Sequence, residues 1–127
     1  MTDDTRIQLR LQFGDQLTFG PGKADLLALI AEKGSIAAAG RAMDMSYKRA
    51  WSLVGEMNAA FETPLVESRR GGPAQGGAKV TAAGADVLAQ FRRLEALLRQ
   101  SGGAELAAIA RYLRPPVQDG LSGTGVE

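Results

Sequence analysis

Cysteine and histidine are both absent from the 127 residues. Without cysteine there are no disulfides and no thiol chemistry, which fits a reducing compartment. Without either residue, a zinc site loses its usual ligands and acid–base catalysis loses its commonest side chain. Aromatic residues are scarce, at 6% with one tryptophan. No apolar run approaches the roughly 20 residues that cross a bilayer. The opening Met1-Thr2-Asp3-Asp4 is polar and acidic, unlike a signal peptide. A strong charge of either sign is also missing, since 15 basic and 14 acidic side chains leave a net charge of +1. Overall charge therefore selects no partner, and any nucleic-acid signal must lie in where the charges sit. No paired carboxylates and no nucleophile with a base suggest an active site. These absences predict a cytoplasmic chain that is no enzyme, holds no metal or cofactor and has no membrane partner.

What is present is enough apolar matter, 45% of the residues, for one domain with a core. Ile7, Leu9, Leu11 and Phe13 alternate with Gln8, Arg10 and Gln12, which predicts a strand over 7–13 with one buried side. Gly14-Asp15-Gln16 can turn the chain into Leu17-Thr18-Phe19, completing a hairpin, and Gly20-Pro21-Gly22 then reads as a break. A helix is expected over 23–33, with a stripe of Leu26, Leu27, Leu29 and Ile30 and an end at Lys33-Gly34. Ser35 is placed to cap a second helix, 36–42, whose small residues admit close approach of another helix. After a turn at Asp44-Met45, Ser46 can cap a third helix, 47–60. Its Ala50, Val54, Met57 and Phe61 share one face.

Beyond Pro64, residues 65–69 and 79–81 read as the legs of a hairpin around the glycine-rich stretch 71–78. Thr81 can cap a long helix, 82–100, carrying Val87, Leu88, Phe91, Leu94, Leu97 and Leu98. A short helix over 104–113 follows Gly102-Gly103, and 114–127 reads as a disordered tail.

Three short helices followed by a hairpin with a glycine-rich tip is the order of a winged helix-turn-helix, with a short turn between the second and third helices. The charges agree with it. Between Arg41 and Lys79 lie six basic and four acidic residues, and the acidic Asp44, Glu56, Glu62 and Glu67 fall away from the proposed contact points. In such a fold the first turns of the third helix reach base edges. Tyr47, Lys48 and Arg49 stand there: arginine can form a bidentate contact to guanine, lysine meets guanine or phosphate, and Ser46 or Tyr47 can hold a phosphate oxygen. Arg69, Arg70 and Lys79 flank the hairpin tip, where phosphate contact competes with a merely solubilising role. The expected DNA-binding set is Ser35, Ser46, Tyr47, Lys48, Arg49, Ser52, Arg69, Arg70 and Lys79. Trp51, at the edge of the core face, is expected to pack against the second helix or the wing, with direct DNA contact as the alternative. The Val87, Phe91, Leu94 and Leu98 stripe fits either intramolecular core or a dimer seam, while Arg92, Arg93 and Arg99 read as solvated. The glycine loop lacks the Gly-Lys-Ser/Thr ending of a phosphate-binding P-loop, and no helix starts directly after it.

The stretch from Gly34 to Asn58 closely resembles the N-terminal domain of the molybdate-responsive transcriptional regulators, the ModE family. Met45-Ser-Tyr-Lys-Arg-Ala-Trp51, Glu56-Met-Asn58 and a glycine-rich wing ending at Val80-Thr81 carry that resemblance. A more distant similarity runs to LysR-type domains, through Leu65-Val-Glu-Ser-Arg69 and Val80-Thr-Ala-Ala-Gly84. The resemblance spans roughly residues 5–113. It implies a mainly α chain with small β: a winged helix-turn-helix with an N-terminal β-hairpin and C-terminal dimerisation helices. The DNA-binding domain would cover 5–81 and its helical dimerisation extension 82–113. The implied partners are double-stranded DNA, as a palindromic operator, and a second copy of the chain. Full-length relatives carry oxyanion-binding Mop-type domains, for which the some 14 residues after Leu113 leave no room, so no effector oxyanion is assigned. A winged-helix module that binds another regulator is the alternative function.

Overall fold

A computed structural model describes residues 5–68 and 77–115. Strand β1 (Leu11–Phe13) pairs antiparallel with β2 (Leu17–Phe19), Leu11 opposite Phe19. Gly14 supplies the positive φ of the turn between them, +53°. The ladder is shorter than the alternation over 7–13 suggested, because β2 offers only three residues to pair with. The burial pattern holds only in part: Ile7, Leu9 and Leu11 are half-buried while Gln8, Arg10 and Gln12 are exposed, but Phe13, expected on the buried side, is 50% exposed.

Helix α1 (Pro21–Lys33) begins inside the segment read as a break. Proline at the first helical position gives up an N–H that would have had no helical partner, and its fixed φ suits the helix. Ala24, Leu26, Leu27 and Ile30 are buried, and Gly34, at φ +70°, closes the helix with its N–H on the Ile30 carbonyl at 2.8 Å. Ser35 Oγ accepts from the Ala38 N–H at 3.0 Å and starts α2 (Ile36–Ala42). The turn into α3 (Tyr47–Ala60) places Asp44 at φ +59°, a left-handed conformation that aspartate tolerates better than most residues. Ser46 Oγ then accepts from the Arg49 N–H at 3.0 Å. Helices α2 and α3 meet at Gly40, where an added Cβ would lie 3.0 Å from the Ala50 Cβ. The small residues of α2 are thus what allow α3 its close seat.

Strand β3 (Val66–Ser68) pairs antiparallel with β4 (Ala78–Val80), with Val66 opposite Val80 and Glu67 opposite Lys79. Both legs of this hairpin are tied to the helices. Asn58, on α3, accepts from the Leu65 and Val66 N–H groups at 2.8 and 3.2 Å and donates to the Val66 carbonyl at 3.0 Å. On the other leg the Ala78 N–H donates to the Gly34 carbonyl at 2.9 Å, and Gly77 bridges to Ser35.

Thr81 opens α4 (Ala82–Ser101) as expected, its Oγ1 accepting from the Gly84 N–H at 3.0 Å and donating to the Pro64 carbonyl at 2.7 Å. Helix α5 (Gly103–Ala110) follows. The apolar stripe of α4 divides. Phe91 is buried edge-on against Phe19, ring centroids 5.1 Å apart, and Val87 packs partly buried against the core. Leu94, Leu97 and Leu98 stay exposed. Arg92, expected to be solvated, instead donates to Asp25 at 2.8 Å and to Glu95 at 3.3 Å, joining α4 to α1. The hydrogen bond to Asp25 is the chief reason its pKa lies above the ordinary arginine value, against a smaller opposing effect of partial burial.

Candidate nucleic-acid interface

At 3.6 residues per turn, α3 divides into a core face and an outer face. Ala50, Leu53, Val54 and Met57 are buried. Lys48, Ser52, Gly55 and Ala59 form the outermost ridge, and all four are exposed. Tyr47, Trp51 and Asn58 run along one flank of that ridge, with Arg49 and Glu56 along the other. Asn58 is the residue bonded to β3, so the wing root lies on the flank that carries the two aromatics.

The first turn of α3 holds no acidic residue. The only acid on the helix, Glu56, sits two turns on, and its carboxylate is engaged by Lys23 Nζ at 3.0 Å. Lys23 also donates to the Thr18 carbonyl at 2.9 Å, so one ammonium ties α1 and β2 to α3. The N-terminal end of α3 therefore offers Lys48, Arg49 and the positive end of the helix dipole with no nearby negative charge on the helix.

Ser46, Tyr47, Lys48, Arg49 and Ser52 are all exposed at this end. Ser46 combines exposure with its cap. As a hydroxyl it keeps an O–H to donate after accepting from Arg49. Ser35 makes the same kind of cap, accepting from Ala38, but is half-buried and bridged to Gly77, just before β4. Lys79 is exposed on β4, but Glu67 stands directly across the ladder from it. That corrects the expectation that Glu67 falls clear of the contact points, since directly opposed strand residues share a face. Arg69 and Arg70 lie outside the described residues, as does most of the glycine-rich stretch.

Trp51 lies on the same flank of α3 as Asn58. It is 38% exposed, at the edge of the core face and not within it, and Tyr47, at i−4, is 57% exposed. The two rings meet edge to face with centroids 6.0 Å apart. Sequence reasoning also passed over Asn58. An asparagine inside a helix is poorly suited to it unless its side chain has work elsewhere, and that was the available signal. Among the described residues no group of His, Cys, Asp or Glu side chains is arranged to hold a metal ion, and no helix is long and apolar enough to cross a membrane.

Residues 23–85, from α1 to the start of α4, match the family described as bacterial regulatory helix-turn-helix protein, lysR family. The chain is 43% identical over 95 residues to the molybdenum-pterin-binding protein MopA of Rhodobacter capsulatus, a match covering 75% of this chain and 36% of that protein. It is 38% identical over 93 residues to the DNA-binding transcriptional dual regulator ModE of Escherichia coli K12, covering 68% of this chain and 36% of the regulator. With the ModE of Yersinia pestis the identity is 32% over 133 residues, covering 95% of this chain and 50% of that one. The chain thus spans about a third of the length of the first two relatives and half of the third. Among solved structures, the CbnR DNA-binding domain in complex with DNA superposes with a TM-score of 0.55 at 26% identity, over 69% of this chain and 95% of that one. Full-length CbnR with its target DNA gives a TM-score of 0.53, over 68% and 28%. Residues 23–85 are a helix-turn-helix domain of the lysR regulatory family, in a mostly helical chain related to the ModE regulators and molybdenum-pterin-binding proteins.

Proposed function

We propose that the chain is a sequence-specific, DNA-binding transcriptional regulator that binds a palindromic operator as a homodimer. The observation that carries this reading is the exposed, acid-free N-terminal edge of α3, where Ser46, Tyr47, Lys48, Arg49 and Ser52 stand together. The presence of the same fold in CbnR structures solved with DNA supports it. In the proposed complex α3 enters the major groove, Arg49 and Lys48 meet base edges, and the helix N-terminus and Ser46 face phosphate. Lys79 and the wing residues Arg69 and Arg70 add phosphate contacts, and Ser35 supports the wing root. Such a protein works in the cytoplasm and carries out no chemistry of its own.

The homodimer reading rests on apolar surface. Leu94, Leu97 and Leu98 on α4 and Ile109 on α5, the last 66% exposed, leave the helical extension with more apolar face than a solvated helix pair needs. Pairing two domains through residues 82–113 would set two copies of α3 facing successive major grooves, and the linked half-sites would gain from effective concentration. The test is selection of bound duplexes from a random pool, followed by gel-shift titration. A palindromic consensus bound far more tightly than random DNA is expected. A folded protein that shifts no DNA even at low salt would sink the regulator reading in favour of a protein-interaction module. Running the selection with and without molybdate and tungstate asks whether the names of the relatives extend to this chain.

A further inference from the structure

The single tryptophan of an aromatic-poor chain is not used in its core. The core face of α3 is closed by Ala50, Leu53, Val54 and Met57, none more than 6% exposed. Trp51 stands outside it with its ring against the still more exposed Tyr47. Edge-to-face contact favours one arrangement of the two rings before any partner arrives, and rings with two side-chain torsions lose little entropy on being covered. The strip they form lies beside the Lys48 and Ser52 ridge, on the flank toward the wing root.

We propose that Tyr47 and Trp51 are specificity-determining residues that receive a thymine methyl group, so that each half-site carries an A·T pair at the position facing this flank. The inference rests on the DNA-binding reading above. In the major groove, thymine alone presents an apolar C5-methyl group, beside its O4 acceptor. An apolar strip running alongside a cationic ridge matches that pairing of methyl group and acceptor. The groove wall beyond is phosphate, which Ser46 and the helix N-terminus complement. A protein partner would need a larger unbroken apolar surface than two rings beside the polar Lys48 and Ser52 ridge provide.

The experiment uses the full chain and its selected duplex. Each thymine in turn is replaced by deoxyuridine, which removes only the methyl group, and affinity is read by gel shift. One thymine per half-site should respond in the wild type, with affinity falling about three- to tenfold, the effect of one buried methyl. Trp51→Ala should bind thymine DNA more weakly and lose the response to uracil at that position, while Arg49→Ala should keep it. Trp51→Phe should restore part of the response, and the deoxyuridine series on the wild type needs no variant to fold. Equal affinity of the wild type for every uracil duplex would overturn the proposal. So would a Trp51→Ala variant that still distinguishes thymine from uracil, or one that weakens selected and random DNA alike, which would make the rings a backbone contact. A wild type that binds no DNA fails on the regulator reading itself, and the proposal falls with it.

Discussion

Asn58→Ala removes three hydrogen bonds from one place: two accepted from Leu65 and Val66 and one donated to the Val66 carbonyl. All three are partly buried, and each leaves a backbone group of the chain entering β3 without its partner. A typical intramolecular hydrogen bond contributes about 1 kcal/mol net, and an unpaired buried group costs somewhat more. Because water can reach part of this corner, the expected loss is about 2–3 kcal/mol, a large share of a domain stability of about 5–15 kcal/mol. In urea, with a slope of about 2 kcal/mol per molar, the midpoint should fall by about 1 M with the slope unchanged. Asn58→Asp keeps the acceptor for both N–H groups but loses the donor and sets a carboxylate beside a carbonyl, so an intermediate loss is expected. In DNA titrations Asn58→Ala should also flatten the salt dependence, because a wing leg no longer held by α3 delivers its phosphate contacts poorly. A midpoint shift below about 0.2 M, equivalent to under ~0.5 kcal/mol, would show that water replaces all three bonds and that Asn58 does not hold the wing.

Gly84→Ala would set a methyl group against the Leu65 carbonyl and 2.8 Å from Val80 Cγ1. Overpacking should outweigh the helix propensity gained and destabilise by about 2 kcal/mol in denaturant titration. Phe91→Ala opens the contact with Phe19 and should cost about 3–5 kcal/mol, lowering the melting temperature by far more than any substitution at the exposed Leu97. Ser46→Ala removes the cap on α3 and should cost about 1 kcal/mol, read by thermal melts. Arg49→Ala should weaken the selected operator by about 1–3 kcal/mol and relax base choice at one position. Arg70→Ala should instead weaken all sequences alike and reduce the salt slope by about one, so equal losses for Arg49→Ala on random DNA would move Arg49 to the phosphate class.

The helix-turn-helix unit was legible because its signals are local. Ser35 and Ser46 mark the starts of α2 and α3 through bonds to N–H groups three residues on, and the small side chains of α2 announce close packing. The start of α1 was not legible, because Gly20-Pro21-Gly22 carries two meanings. The same proline that interrupts a strand is well suited to open a helix. The fates of Trp51 and of the α4 stripe depend on where other elements end. Leu94 lines one cavity with Leu11 and Phe13 of the β1–β2 hairpin and still stays 40% exposed, which its helical spacing alone does not reveal. Asn58, Lys23 and Arg92 were missed for a related reason: the partners they reach on other elements lie 5 to 67 residues away, and no spacing rule connects them.

The two legs of the wing are anchored to different helices, β3 to α3 through Asn58 and β4 to the α1–α2 corner through Gly34 and Ser35. The end points of the segment between Ser68 and Gly77 are therefore set by the frame and not by the segment itself. Closing a longer loop between fixed ends costs little, about 0.6 kcal/mol for each doubling of its length. Insertions and deletions there can accumulate over evolution without disturbing the register that sets Lys79 opposite Glu67. Length and charge between Ser68 and Gly77 can thus vary while α3 and its Asn58 anchor stay as they are.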